Sequence, residues 1–328
     1  MAATKKLMDY GVDEAVDVFV LLKAADVRTA KNGKQYIALV FEDQSGEISG
    51  KYWDASPEDI TNYVAGRVVH LQGKRENYQT HPQIKIFHLR LTNPGEPSDP
   101  NAFIEQAPMS RAEMEDYITQ TIFEITQPTW NRIVRKLVSE YADQFYTYPA
   151  AKSNHHAFQG GLAYHTISIL KLAHSVTTQY PDLNAPLLFA GAILHDLGKT
   201  IELSGPKSTT YTLAGNLIGH IVLIDGELVR ACDTLKLDPQ AEDVLLLRHM
   251  ILSHHGLLEY GSPVRPELRE ADVLHQLDEL DASIMMLDTV VAHTEPGEFS
   301  ERVFAMDGRR FYRPTTDGPK SPDEPQQP

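Results

Sequence analysis

Phe189-Ala190-Gly191-Ala192-Ile193-Leu194-His195-Asp196-Leu197-Gly198-Lys199 is an apolar run that ends in an imidazole, a carboxylate, a glycine and a lysine. The pattern predicts a buried helix that delivers polar groups to one spot, where a charge is costly unless it is paired or metal-bound. Taken alone, the His195-Asp196 doublet also fits a helix end that meets solvent. Four further segments decide between the two readings. His165 follows Gly160-Gly161-Leu162-Ala163-Tyr164 and opens a helix whose apolar positions continue through Ile169, Leu170 and Ala173. His220 sits in the apolar run Asn216–Val222, and His254-His255 close the helix Val244–Ser253. Asp278 lies at helical spacing from Ala271, Leu274, Ala282 and Met285 and so shares their inward stripe.

One inward histidine is more often a satisfied core residue than a ligand; five converging segments are another matter. Histidine and aspartate without thiolate favour Mn, Fe, Co or Zn over calcium or a zinc-finger arrangement. Six or seven N and O ligands exceed the needs of one tetrahedral ion. They suit two divalent ions bridged by a carboxylate, and Asp196 is the natural bridge. Two such ions about 4 Å apart generate a hydroxide and clamp an in-line displacement at phosphorus.

Outward from this centre, composition sets limits. The 328 residues allow two domains with full cores. Cys232 is the single cysteine, which excludes a Cys-based site and an intrachain disulfide and fits a reducing cytoplasm. No run approaches a membrane span, and Met1–Lys6 lacks an apolar signal core, so a cytoplasmic location without membrane contact is expected. A net charge of −15 argues against a bulk electrostatic grip on nucleic acid. The charge is uneven, however: residues 1–93 carry 12 Lys and Arg against 12 Asp and Glu.

Thr92-Asn93-Pro94-Gly95-Glu96-Pro97-Ser98-Asp99-Pro100 divides a region of period-two patterning from one of helical patterning. Before it, strands are expected at Val16–Lys23 and onward to Arg28, Gln35–Asp43, Glu47–Trp53, Arg67–Arg75 and Gln83–Leu89. A turn at Lys31-Asn32-Gly33-Lys34 links the first two. A short helix from Ser56-Pro57 sits between strands three and four. Three strands, a helix and two strands is the order of an OB-fold barrel. Such barrels stack single-stranded bases on exposed aromatics beside basic groups. The candidates are Tyr36, Tyr52, Trp53 and Tyr78 with Lys34, Lys51, Lys74 and Arg75, against the alternative that about half of the aromatics fill the barrel. Beyond the linker, Ser110 with Glu113 forms a capping-box pattern, and Trp130, Ile133, Val134 and Leu137 are expected to pack on the helical core.

His165, His195-Asp196 and Asp278, in that order, resemble the HD superfamily of metal-dependent phosphohydrolases. The resemblance implies that Asp278 is the last ligand, with Asp281 as the alternative or a supporting group. It also implies that His220, His254 and His255 are the extra histidines of two-metal members, and that Lys199 contacts substrate phosphate. Gly161 stands where three-metal members carry a glutamate, which argues against a third ion. The barrel together with this centre is similar to the YhaM-type 3′-5′ exoribonucleases over residues 10 to 313. Asn154-His155-His156-Ala157-Phe158, Phe299-Ser300-Glu301-Arg302 and Asp307–Tyr312 extend the match. That likeness implies removal of nucleotides from the 3′ end of single-stranded RNA, with single-stranded DNA as a further substrate and Mn2+ as the ion.

The expected architecture is therefore multidomain: a small all-β OB-fold barrel over residues 1–93 and a linker over 94–109, followed by an all-α HD helical bundle over 110–313 and a disordered tail over 314–328. Hydrolysis would release nucleoside 5′-monophosphates, with Lys199 on a non-bridging oxygen and His155 or His156 on the strand; helix-start hydrogen bonding explains those two histidines equally well. Arg302, Arg309 and Arg310 are candidate phosphate guides or partners in surface salt bridges. Two rival readings use the same residues. One is a nucleotidase or cyclic-nucleotide phosphodiesterase of the same superfamily, and the other is a binding protein with structural metals. The sequence leaves the oligomeric state open.

Overall fold

Period-two alternation over the first ninety residues becomes a five-stranded barrel in the computed structural model, which describes residues 5–30, 33–78, 81–151, 158–206, 209–292 and 294–316. β1 (Ala15–Thr29), β2 (Gln35–Asp43) and β3 (Gly46–Tyr52) form a meander. After α1 (Pro57–Asn62), β4 (Val68–Tyr78) and β5 (His81–Leu91) close the sheet in the order β1-β2-β3-β5-β4. The closing β3–β5 pair is parallel, as in an OB barrel. Alternation sends Ile37, Leu39 and Phe41 inward against Val20, Leu71 and Ile84. α1 begins as its sequence predicts, with Pro57 in the first turn and the Ser56 side chain accepting from the Asp59 amide. Lys31 and Asn32 of the expected turn lie outside the described residues.

The linker is anchored to the barrel. Arg90 donates to both oxygens of Glu96 at 2.7 and 2.8 Å, and Gln44 Nε2 donates to the Ala102 carbonyl at 3.0 Å. Ile104 is buried against Leu21 and Val68.

The helical region follows in order: α2 (Arg111–Glu124), α3 (Pro128–Glu140), α4 (Ala142–Phe145), α5 (Gly161–Gln179), α6 (Ala185–Leu194), α7 (Lys199–Glu202), α8 (Leu213–Ile218), α9 (His220–Leu235), α10 (Glu242–Ser253) and α11 (Arg269–Ala292). α2 carries the expected reciprocal Ser110–Glu113 cap. α6 is the axis of this body. It is capped by Asn184, buried from Leu187 to Leu194, and packed against α3, α5, α10 and α11. Trp130, Ile133, Val134 and Leu137 join the same core. Among the described residues no helix is long and apolar enough to cross a membrane.

Two expectations need correction. The inward stripe of α11 stops at Asp281, and Ala282 and Met285 are only half-buried. At 24 residues α11 outruns its neighbours α6 and α10, which have 10 and 12. Of the apolar run around His220, only His220 and Ile221 are buried. Gly219, at φ +80°, breaks the chain there and leaves Leu217 and Ile218 exposed, while His220 opens α9. Of the expected tail, Pro314–Thr316 are exposed and residues 317–328 lie outside the described residues.

Candidate active site

Helix ends and helix faces bring the ligand candidates to one buried spot. His165 sits in the first turns of α5, His195 and Asp196 follow α6, His220 opens α9, His254 and His255 follow α10, and Asp278 lies within α11. Their ligand atoms fall into two groups, each within 4.8 Å: His165 with His195 and Asp278, and Asp196 with His220, His254 and His255. Asp196 also reaches the first group. Its Oδ2 is 3.5 Å from His165 Nε2 and 3.4 Å from His195 Nε2. Its Oδ1 is 3.3 Å from His220 Nε2 and 3.8 Å from His254 Nε2. One carboxylate thus faces both groups, and Asp278 Oδ1 completes the first at 3.2 Å from His165 Nε2.

The imidazoles are oriented for a cation. Each has a carbonyl or carboxylate at Nδ1: Asp281 for His165 (2.7 Å), Ala192 for His195 (2.8 Å), Glu202 for His220 (3.2 Å), Ile251 for His254 (2.7 Å) and Tyr260 for His255 (2.7 Å). Such acceptors place the proton on Nδ1 and turn the Nε2 lone pair inward. Among the described residues, His220 Nε2, His254 Nε2 and Asp196 Oδ1 are buried without a hydrogen-bond partner. Leaving such atoms unpaired costs about 1–3 kcal/mol each, and a divalent cation satisfies all of them. The N and O donor set fits such an ion.

The same neighbours set the charge of each group. Burial, the largest influence on Asp196, opposes its ionisation, yet Lys199 at 2.7 Å and the neighbouring histidines hold its carboxyl well below the usual range. Burial also pushes His165 down, but Asp278 and Asp281 outweigh it and raise the imidazole to about 9. His254 goes the other way: burial, then His255 and His195, keep it neutral and able to donate a lone pair. Burial likewise lowers His255, and Asp196 raises Lys199 against its own burial.

Close backbone approach fixes the spacing of these segments. A Cβ on Gly198 would lie 2.1 Å from the His220 carbonyl oxygen, and one on Gly215 would lie 2.3 Å from that of Glu202. Glu202 is the site residue that sequence reasoning missed. It is buried and accepts from both the backbone amide (3.1 Å) and Nδ1 of His220. An acid three residues past Lys199, between Ile201 and Leu203, was the available signal. Asp281 accepts from His165 Nδ1 and the Ser168 hydroxyl.

On the barrel, Tyr36 of β2 and Trp53, just past β3, form a tilted aromatic pair with centroids 4.7 Å apart and Trp53 57% exposed. Lys51 Nζ lies 5.8 Å from the Trp53 ring and 5.3 Å from that of Tyr78. Two candidates belong elsewhere. Tyr52 alternates inward, packs on the barrel core and meets Tyr63 edge-on at 5.2 Å. Arg75 donates to the carbonyls of Met8 (3.0 Å) and Tyr10 (2.7 Å), fastening the N-terminal turn. Lys74 pairs with Asp13 at 2.8 Å. His155 and His156 lie outside the described residues.

A family model described as HD domain matches residues 162–283. The 3′-5′ exoribonuclease YhaM of Listeria innocua serovar 6a is 50% identical over 311 residues, covering 95% of this chain and 99% of that protein. Proteins of the same name from Listeria welshimeri serovar 6b and Listeria monocytogenes serovar 1/2a show the same identity and coverage.

Proposed function

Because the chain belongs to the family of YhaM 3′-5′ exoribonucleases, we propose that its buried His–Asp centre is where RNA is cut. The protein is a metal-dependent hydrolase that removes nucleotides from the 3′ end of RNA. The observation that carries the assignment of the site is Asp196, one carboxylate facing two groups of inward-turned Nε2 atoms. In this reading His165, His195 and Asp278 would hold one divalent ion and His220, His254 and His255 the other, with the Asp196 carboxylate within reach of both groups. When bound, the ions supply an activated water and neutralise phosphate charge.

The chain's own groups do the rest. Asp281 and Glu202 hold the His165 and His220 rings in the tautomer a ligand needs. Lys199, at the edge of the site with 12% of its side chain exposed, holds a non-bridging oxygen of the scissile phosphate. Hydrolysis places the water oxygen on phosphorus and breaks the bond to the 3′ oxygen of the shortened strand, which takes up a proton. A nucleoside 5′-monophosphate leaves.

Manganese is the ion we assign, with cobalt or iron as substitutes of similar donor preference. The barrel grips the strand: Tyr36 and Trp53 stack bases and Lys51 meets phosphate, with Lys74, His155 and His156 as further contacts. The grip does not require a 2′-hydroxyl, so single-stranded DNA is a second substrate. We assign residues 1–93 to gripping, 94–109 to joining and 110–313 to cleavage, in the cytoplasm.

End-labelled single-stranded RNA tests the assignment of the site. Wild-type protein ladders it from the 3′ end in manganese, and a His195→Ala variant retains RNA binding without laddering. Undiminished laddering by that variant would remove the His–Asp centre from the reaction.

A further inference from the structure

The C-terminal half of α11 is only partly covered, with Ile284 45% exposed. Residues 282–292 include Ile284, Met285, Met286, Leu287, Val290 and Val291, yet among the described residues of that helix none beyond Asp281 is buried. Six large apolar residues in eleven, with Ser283, Asp288 and Thr289 as the polar ones, are more than a free helix face needs. The chain then enters a hairpin bridged at Phe299–Tyr312 and Val303–Arg309, and Arg313 ties it to the helix end by donating to the Thr294 carbonyl at 2.8 Å. The hairpin presents Phe304 at 86% exposure and Phe299 at 57%.

Among the described residues none buries this surface, and charge says which kind of molecule would cover it. Residues 94–298 carry 28 acidic against 13 basic side chains, whereas residues 299–313 carry four arginines against Glu301 and Asp307. A second copy matches both halves of the surface, offering identical apolar helix turns to α11 and an acidic body to the hairpin arginines. RNA would suit the arginines but has no aliphatic face for Met285, Met286 and Leu287. The acidic body would be repelled by an anionic lipid surface.

We propose that the end of α11 and the following hairpin form a self-association surface, joining two copies with their α11 ends side by side. Eleven helical residues span about 16 Å, and the hairpin extends the patch towards the ~800 Å² per partner of a stable interface. Closed two-fold pairing is the commonest way to satisfy such a patch.

The test weighs the full, RNA-free chain by light scattering after gel filtration at micromolar concentration. The expected mass is at least twice the 36.7 kDa of one chain. Ile284→Glu combined with Phe304→Glu should reduce it to one chain with an unchanged far-ultraviolet circular dichroism spectrum. Phe123→Glu, on an aromatic of α2 that is 69% exposed, should leave the assembly intact. Should the double variant lose helix signal, Ile284→Ser alone is judged by the same mass criterion. A wild-type mass of one chain overturns the proposal, as does an assembly indifferent to the substitutions. Association that requires added RNA also overturns it, by making RNA the occupant.

Discussion

The charged surface of the barrel and the buried centre of the helical body treat their polar groups in opposite ways. In the barrel, charged side chains answer one another: Lys23 meets Glu42 at 2.9 Å and Glu47 at 2.8 Å, Lys74 meets Asp13, and Arg90 clasps Glu96. In the body, imidazoles and carboxylates are buried facing one another, and several atoms have no partner in the protein. The contrast separates two kinds of chemistry. A surface that stacks bases works by adding contacts, so its losses should be graded. A buried centre whose members share one carboxylate should fail as a unit.

The largest effect should come from the shared carboxylate. Asp196→Asn should lower RNA hydrolysis by about 10³-fold or more, with both ions missing in elemental analysis; a variant that still holds two ions would erase the distinction between unit and sum. Next comes Glu202→Ala, which frees one ring. Chelator titration should show metal affinity falling by about 10- to 100-fold for one ion while the other stays bound. On the barrel, Trp53→Ala removes one stacking platform worth about 1–3 kcal/mol. RNA affinity should fall by that amount with kcat preserved, and Tyr52→Phe should leave affinity unchanged. If Tyr52→Phe instead costs as much as Trp53→Ala, the inward placement of Tyr52 fails.

The smallest effect concerns the linker clasp. Hydrogen bonding from Arg90, then from the Asn93 amide, lowers the Glu96 carboxyl to about 2. A carboxyl depressed on folding contributes stability that is present above its ordinary value near 4.5 and lost as pH falls towards about 2. Glu96→Gln should therefore lower the barrel melting temperature slightly at pH 7 and leave it unchanged at pH 2. An equal loss at both values would assign the clasp's contribution to packing rather than charge.

Much of this was legible beforehand. The doublet stood out because α6 is buried on every side, which makes an apolar run that stops at His195 conspicuous. The Ser110–Glu113 cap and the strand order of the barrel are local signals and survived intact. What stayed hidden depends on partners distant in sequence. Tyr52 and Trp53 are adjacent and chemically alike; only pairing register decides which faces inward, and a slip of one residue exchanges them. Arg75 binds carbonyls 65 and 67 positions away, which no pattern around it announces. The end of α11 has the composition of a core helix, but its burial is set by the lengths of α6 and α10 rather than by its own periodicity.

The glycine at 198 has a mechanical corollary. Where it meets the His220 carbonyl, main chain rests on main chain without even a methyl group between. Such a joint yields less than any side-chain rotamer, so it acts as a shim that sets the interval between the segment bearing His195 and Asp196 and the one bearing His220. If two ions bind as proposed, their separation would be set by backbone, and cations of different radius would be sorted by fit rather than by flexing.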